Sequence, residues 1–336
     1  MSEQPTRLAA GSPEGSRQSQ QGTHQAQQRI GVAVVGSLHY DIMLRTPHLP
    51  RLGETLIGSD WWWKPGGKGG NQAMAAARHG GTVHMIGALG ADEFGAKLRE
   101  SLGEAGVNHD LVRTAARGSG MSVALVEAAG DYSAVVVSGA NLTIDAAQIG
   151  EAADALSRAK ILILQNEISD AANVAAARIV RAAGGRVVYN AAPARQPAPE
   201  MAALTDVLVV NAVEAEMLGG GVVHDLASAS AAARQLQALA PNIVVTAGGD
   251  GLALCHAGEC STLPAHAVEN AQTHGAGDAF IGALAAVLAA SEDLPGALAY
   301  ANAAAALHVG AGAEAAGIGP AEVQAFLAAR AVGWSG

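Results

Sequence analysis

Two glycine-rich segments of this 336-residue chain carry side chains able to do chemistry. The first is Gly275-Ala276-Gly277-Asp278, set directly before an apolar run of helical length, Ala279–Ala290. Glycines at the mouth of a helix let successive backbone N–H groups point into one space. Those groups have no intrahelical partner and sit at the positive end of the helix dipole, so together they suit an anion. An Asp at such a junction has two uses. It can cap the helix by accepting one of those N–H groups, or it can take a proton from a hydroxyl while the amides hold the phosphoryl group that the hydroxyl attacks. The residues alone leave both open.

The second segment, Pro65-Gly66-Gly67-Lys68-Gly69-Gly70-Asn71-Gln72, runs into a helix predicted over Ala73–His79. No Ser or Thr follows the Lys and the G-x-x-x-x-G-K spacing fails, so it is not a P-loop. It follows no predicted strand in the order G-x-G-x-x-G, which excludes a dinucleotide fingerprint. With Lys68 and Asn71 inside it, the loop could hold a polyhydroxylated ligand through backbone and amide hydrogen bonds. A plain tight turn into a helix reads equally well.

Distant segments meet only if the fold brings them together, and the rest of the chain supplies the elements. Ile30–Gly36 is a short, β-branched, almost wholly apolar run, as expected of a parallel strand covered on both faces. Similar runs at Val83–Leu89, Lys160–Leu164, Arg186–Asn190, Asp206–Asn211 and Asn242–Ala247 alternate with Ala-rich helical stretches such as Asn71–His79, Ala171–Ala183 and Leu226–Leu239. This alternation predicts an α/β fold: a doubly wound, mostly parallel sheet flanked by helices. The last third is helical, over Asp278–Ser291, Leu294–Val309 and Pro320–Ala331. The rhythm breaks twice. Residues 38–64 read as extended pieces punctuated by Pro47, Pro50, Gly53 and Gly58, and within 118–138 the runs Met121–Glu127 and Tyr132–Val137 flank a Gly130-Asp131 turn. Such excursions make either a small β-sheet lid over a site or a bland edge hairpin.

Composition narrows the classes of function. Lys and Arg number 20 against 30 Asp and Glu, a formal charge of −10 with no basic block, which argues against nucleic-acid binding. The apolar runs are Ala-rich, interrupted by polar residues and too short for a membrane span. Residues 1–29 hold seven Gln and no apolar core of a secretory signal, so they read as a disordered tail. One domain is expected over 30–332. Cys255 and Cys260 are too few for a disulfide framework and lack His at ligand spacing, so they read as ordinary strand or loop residues in a reducing, cytoplasmic setting.

Taken in chain order, Gly36-Ser37-Leu38-His39-Tyr40-Asp41, the glycine-rich segment around Lys68, Asn190-Ala191-Ala192-Pro193-Ala194-Arg195, Asn211-x-x-Glu214 and Gly275–Phe280 resemble the ribokinase (PfkB) family of carbohydrate kinases. The likeness runs from about Ile30 to about Leu327, and several motifs in the right order are far more specific than any one. It implies a ribokinase-like fold with a β-sheet lid, and transfer of the γ-phosphate of ATP to the 5-hydroxyl of D-ribose. Another sugar, a nucleoside, or a non-catalytic sugar-binding regulator are the alternatives. By the resemblance Asp278 is the base, and the amides of Gly275, Ala276 and Gly277 form the anion hole. Asp41, Gly67, Lys68, Asn71 and Glu167 match positions binding sugar hydroxyls, with His39 beside them. Asn211 matches a nucleotide-phosphate contact and Glu214 a residue acting on Mg²⁺ through water. Thr246, Gly248, Gly249 and Gly251 border the nucleoside, and Asn302 lies at the adenine end. The partners implied are a small sugar, Mg-ATP and a second copy joined through the lid. The negative net charge opposes free ATP at long range, so Lys68 and the helix N-termini must override it locally.

Three departures stand out. The family's D-T-x-G-A-G-D reads Gln272-Thr273-His274-Gly275-Ala276-Gly277-Asp278 here, and a Ser of the monovalent-cation shell aligns with Ala316. The loop of Gln272 and His274 thereby loses a charge, so K⁺ activation is expected to be weak or absent. His39 replaces an Asn of the family pattern, which either leaves the pocket rim unaltered or shifts sugar preference. In Trp61-Trp62-Trp63 the outer two share one strand face and Trp62 takes the other. One face could cover the sugar and the other meet a second subunit, or both could pack on their own domain.

Overall fold

The computed structural model describes residues 1, 30–127, 132–268, 275–311, 317–330 and 332–336. Residues 2–29 of the expected tail, the turn Gly130-Asp131, and Gln272, His274 and Ala316 lie outside them. The predicted apolar runs form strands within a residue or two of their expected ends. In chain order the strands are β1 (Ile30–Val35), β2 (His39–Thr46), β3 (Asp60–Gly66), β4 (Val83–Gly90), β5 (Asn108–Ala115), β6 (Gly120–Glu127), β7 (Tyr132–Val137), β8 (Ala159–Leu164), β9 (Arg186–Asn190), β10 (Val207–Asn211), β11 (Asn242–Thr246), β12 (Gly251–His256) and β13 (Glu259–Pro264).

Nine of them make one sheet in the order β13-β12-β11-β10-β9-β8-β1-β4-β5. Pairing is parallel from β11 to β5, and β12 and β13 close one edge antiparallel. Alternation along β1 serves two cores. Val32 and Val34 pack with Ala73, Ala76, Phe280 and Ile281 from one helical layer. Ala33 and Val35 pack with Ile149, Leu156, Ala172 and Ala176 from the other. Burial on both faces is what makes these strands read as unbroken apolar runs. The chain leaves β1, β8, β9, β10 and β11 at their carboxyl ends, and there it delivers Ser37, Glu167, Asn190, Asn211 and Thr246. In open α/β sheets that edge is where ligands bind.

The two segments that break the rhythm form a separate four-stranded sheet, β3-β2-β6-β7. β2 pairs antiparallel with β3 and parallel with β6, setting Lys64 and Ser122 on either side of Asp41 on one face. On the opposite face Tyr40 is sandwiched between Trp63 and Phe94, at centroid distances of 4.6 and 4.2 Å, which ties this sheet to the main domain. Trp63 therefore packs on its own domain. Trp61 is 62% exposed, and Trp62 lies on the Asp41 face beneath the Arg45 guanidinium.

Two expectations need correction. Cys255 and Cys260 are strand residues, but they are not independent: β12 and β13 pair them directly and they form a disulfide. The spacing C-x₄-C closes a hairpin whose turn, Ala257-Gly258, carries positive φ at both residues. Both site helices also start earlier than expected, at Lys68 and Ala276. Gly67 (φ 81°) and Gly275 (φ 82°) are their N-caps. The left-handed backbone at each end gives a sharp entry that residues with a Cβ rarely adopt. The glycine-rich stretches are thus themselves the first helical turns.

Candidate active site

The Lys68–Arg78 helix and the Ala276–Ala290 helix lie side by side, and their first turns meet. The contact depends on absent side chains. A Cβ at Gly282 would lie 2.4 Å from the Ala75 Cβ and 2.6 Å from the Ala76 nitrogen. One turn earlier, the same approach brings Asn71 and Gln72 to Asp278, some 207 residues away in sequence: Asn71 Nδ2 donates to Asp278 Oδ2 at 3.0 Å and Gln72 Nε2 to Asp278 Oδ1 at 2.9 Å. Asp278 is therefore no cap. It stands inside the first turn with both oxygens held by side chains, and no side chain caps the helix at Gly275. The first amides of that helix stay available to an anion.

Around this junction gather four carboxylates and two lysines. Glu167 Oε2 accepts from the Lys68 backbone N–H at 2.9 Å and from Ser37 Oγ, placing a negative charge at the Lys68–Arg78 helix N-terminus. Asp41 Oδ1 accepts from Ser122 Oγ at 2.6 Å. A Cβ on Gly66 would fall 2.0 Å from Asp41 Oδ2, so only glycine leaves that carboxylate room. Burial pushes the Asp278 carboxyl above its ordinary range; Lys68, Asn71 and Gln72 oppose this, and Glu167 adds to it. Burial likewise raises Glu214, against the Asn211 N–H and Lys68, while Asp278 adds to the rise. Burial pulls Lys64 down while Asp41 and Asp278 hold it up. The charges of Lys64, Lys68, Glu167 and Glu214 are thus felt at or from Asp278, and Asp41 joins them through Lys64.

Glu214 and Asn211 form a capping box at the Ala212–Met217 helix: Asn211 Oδ1 accepts from the Glu214 N–H at 2.8 Å, and Glu214 Oε2 from the Asn211 N–H at 2.9 Å. Glu214 Oε1 has no part in this box. A buried carboxylate with one oxygen uncommitted among the described residues suits a hard, oxygen-seeking cation such as Mg²⁺.

Farther along the edge, Thr246 ends β11, and Gly248 and Gly249 stand exposed in the following turn. Gly251 starts β12 at φ 124°, where a Cβ would strike the Leu263 carbonyl at 2.1 Å. Asn302 is buried and donates to the Pro264 carbonyl at 2.9 Å, bracing the end of β13. His39 is buried at the start of β2, its Nε2 without a partner among the described residues. Sequence reasoning missed four residues. Gln72 stood in the quoted pattern, next to Asn71. Ser37 stood in the first motif. Ser122 and Lys64 reach Asp41 only through strand register, which leaves no signal in the sequence.

Comparison with known proteins settles the family. The model of the pfkB family carbohydrate kinases matches residues 29–317. The chain belongs to that family. Mouse ribokinase is 35% identical over 270 residues, covering 79% of this chain and 84% of the relative. A deoxyribokinase of Salmonella typhi is 33% identical over 272 residues, covering 80% and 89%. The structure of Arabidopsis thaliana ribokinase complexed with ribose and ATP superimposes with a TM-score of 0.82 at 28% identity, covering 89% of this chain and 99% of that one. The chain is a sugar kinase of ribokinase type, and the mostly parallel sheet with its separate small sheet is the fold of these relatives. No helix among the described residues is long and apolar enough to cross a membrane.

Proposed function

We propose that the protein transfers the γ-phosphoryl group of ATP to the 5-hydroxyl of D-ribose, with Asp278 as general base. The observation that carries this reading is the meeting of the two glycine-rich segments: a carboxylate in the first turn of an uncapped helix, hydrogen-bonded by Asn71 and Gln72. The proton leaves the sugar hydroxyl for Asp278, the freed oxygen pair forms the new O–P bond, and the bond to ADP breaks with its electrons going to ADP. The amides of Gly275, Ala276 and Gly277 face the charge that builds on the phosphoryl oxygens. Asp41, Gly67, Lys68, Asn71 and Glu167 bind the sugar hydroxyls, with His39 Nε2 a further buried group able to pair with one. Asn211 meets the nucleotide phosphates, Thr246, Gly248, Gly249 and Gly251 border the nucleoside, and Asn302 supports the adenine end.

Glu214 would hold Mg²⁺ through water, and the ion would supply neutralisation of the phosphate charge. Glu214→Gln keeps the capping box, because a carboxamide oxygen also accepts the Asn211 N–H, and removes only the charge. The expected result is a higher Mg²⁺ requirement at unchanged thermal stability. A Mg²⁺ titration coinciding with wild type would leave Glu214 a cap and nothing more.

The second sheet acts as a lid, carrying Asp41 and Lys64 over the sugar. Its exposed Trp61, Val135, Val136 and Val137 give it an apolar surface that supports pairing with a second copy. ATP as donor and a free sugar as acceptor suit a cytoplasmic setting. The test is ADP release measured over ribose, 2-deoxyribose, hexoses and nucleosides, with and without K⁺. Ribose is expected to be the fastest substrate, and K⁺ to leave its rate unchanged because Gln272 and Ala316 replace charged and hydroxyl groups of the cation loop. The deoxyribokinase relative favours 2-deoxyribose as the second reading. A faster rate with that sugar would make it the substrate, and strong activation by K⁺ would restore the cation site.

A further inference from the structure

The base assignment leaves open which oxygen of Asp278 receives the proton, and buried amides behind it bear on the choice. Gln72 and Gln165 are 0% exposed and Asn190 is 8% exposed. Their polarity is set from one end. Asn190 Nδ2 donates to the Val209 carbonyl at 3.2 Å, a group that can only accept, so Asn190 turns Oδ1 toward Gln72. Gln72 must answer with its NH₂ group. That nitrogen donates one hydrogen to Asn190 Oδ1 at 3.0 Å and the other to Asp278 Oδ1 at 2.9 Å. Gln72 Oε1 is taken in turn by Gln165 Nε2 at 2.8 Å, and the Gln165 main-chain carbonyl accepts from Asn173 Nδ2 at 2.8 Å. Turning the Gln72 amide over would set its oxygen against two acceptors, Asn190 Oδ1 and Asp278 Oδ1. Burial makes each such mismatch costly.

Asp278 Oδ1 therefore faces the protein interior and an amide whose orientation is set from the Asn190 end. Among the described residues Oδ2 meets only Asn71, which is half-exposed, against the fully buried Gln72, and carries no other side-chain hydrogen bond. We infer that Gln72 is a positioning residue: the Gln165–Gln72–Asn190 relay holds the Asp278 carboxylate so that Oδ2 is the oxygen that takes the sugar proton. This rests on the kinase reading above. The proton passes from the sugar hydroxyl to Oδ2, the sugar oxygen bonds to phosphorus, and the bond from phosphorus to ADP breaks. Gln72 is neither protonated nor consumed. Because its donor bond favours the ionised carboxylate, losing it raises the pH at which Asp278 becomes active. The charged and titratable groups near Asp278 are Lys64 from β3, Lys68 from the Lys68–Arg78 helix, Glu167 after β8, Glu214 from the capping box, and His308, beside Gly275; all remain in the variants below.

The test replaces Gln72 with Met, a chain of like length without the donor. Expected are a kcat on ribose lower by about ten-fold or more, sugar and ATP KM values within about three-fold of wild type, and an acid limb of kcat/KM moved to higher pH. Gln165→Met should give the same pattern, more weakly, and it carries the test if Gln72→Met does not fold. The double variant should be no worse than Gln72→Met alone, since the two act through one chain of bonds. An unmoved acid limb, a raised KM at unchanged kcat, or strictly additive losses would each overturn the relay. If the wild type releases no ADP with any sugar, the kinase reading itself has failed. The relay is then judged by the ¹³C titration of the Asp278 carboxyl, assigned with Asp278→Asn. An upward move in Gln72→Met sustains it and an unchanged midpoint ends it.

Discussion

Asp278→Asn is expected to lower kcat by at least about a hundred-fold while sugar affinity stays nearly unchanged. Of the four carboxylates around the junction, Asp278 is the one set in the first turn of the uncapped helix, beside the amides proposed to hold the phosphoryl group. A positioned base is worth about 10²–10⁴ in rate. The substitution preserves size and keeps an oxygen for Gln72; its NH₂ meets Asn71, whose half-exposed amide can turn over, so the main change falls on proton acceptance. The pH profile follows with a definite sign. Burial, with Glu167 adding to it, holds the Asp278 carboxyl above the usual carboxylate range. As the proposed base Asp278 would work only when ionised, so turnover is expected to be lost as pH falls through that raised value, at a higher pH than an exposed Asp would give. The same shift opposes folding: a carboxyl raised in the folded state prefers its proton there, so its charge costs stability above the raised value and the cost vanishes on acidification. Activity and stability at this residue therefore change in opposite directions with pH. Steady-state kinetics on ribose, with sugar binding measured separately by calorimetry, decide the matter. A variant turning over at near wild-type rate removes Asp278 from the chemistry, and one that loses sugar binding instead makes it a pocket residue.

The sequence made the parallel sheet legible because strands buried on both faces must be apolar at nearly every position, as at Val32–Val35 and Ile161–Leu164. The Gly275–Asp278 junction was legible for a related reason: only a special backbone conformation calls for glycine at a helix mouth, and Gly275 adopts one. What the residues alone left open was whether Asp278 caps its own helix. That depends on a neighbour 207 positions away, and no local pattern encodes it. Lys64 and Ser122 escaped notice for the same reason, since strand pairing across the second sheet, not spacing along the chain, puts them beside Asp41. The Cys255–Cys260 pair is a milder case. Its strands carry His256, Glu259, Ser261 and Thr262 among the apolar residues, so neither run reads as a strand until the hairpin is seen.

That long-range meeting of helices can itself be tested, at a position that touches no substrate. Gly282→Ala adds one methyl group a turn beyond Asp278. Its Cβ would lie 2.4 Å from the Ala75 Cβ, 2.6 Å from the Ala76 nitrogen and 2.7 Å from the Gln72 carbonyl oxygen. Two of the three are backbone atoms, so no side-chain rotation relieves the clash, and the Ala276–Ala290 and Lys68–Arg78 helices must move apart. Overpacking of this kind costs about 1–3 kcal/mol of stability. The larger effect is expected on turnover. Separation carries Asn71 and Gln72 away from Asp278, and a misplacement near 1 Å can lower the rate about a hundred-fold. The melting temperature should fall modestly while kcat falls steeply, with nucleotide affinity changed less than kcat, because Asn211, Thr246 and the turn after it belong to other elements while the Gly275–Gly277 amides move with the helix. Ala75→Gly in the same chain removes the shortest of the three contacts and should recover part of the lost turnover. If Gly282→Ala instead keeps both its melting temperature and its kcat, the close approach of these helices does not set the geometry of the base.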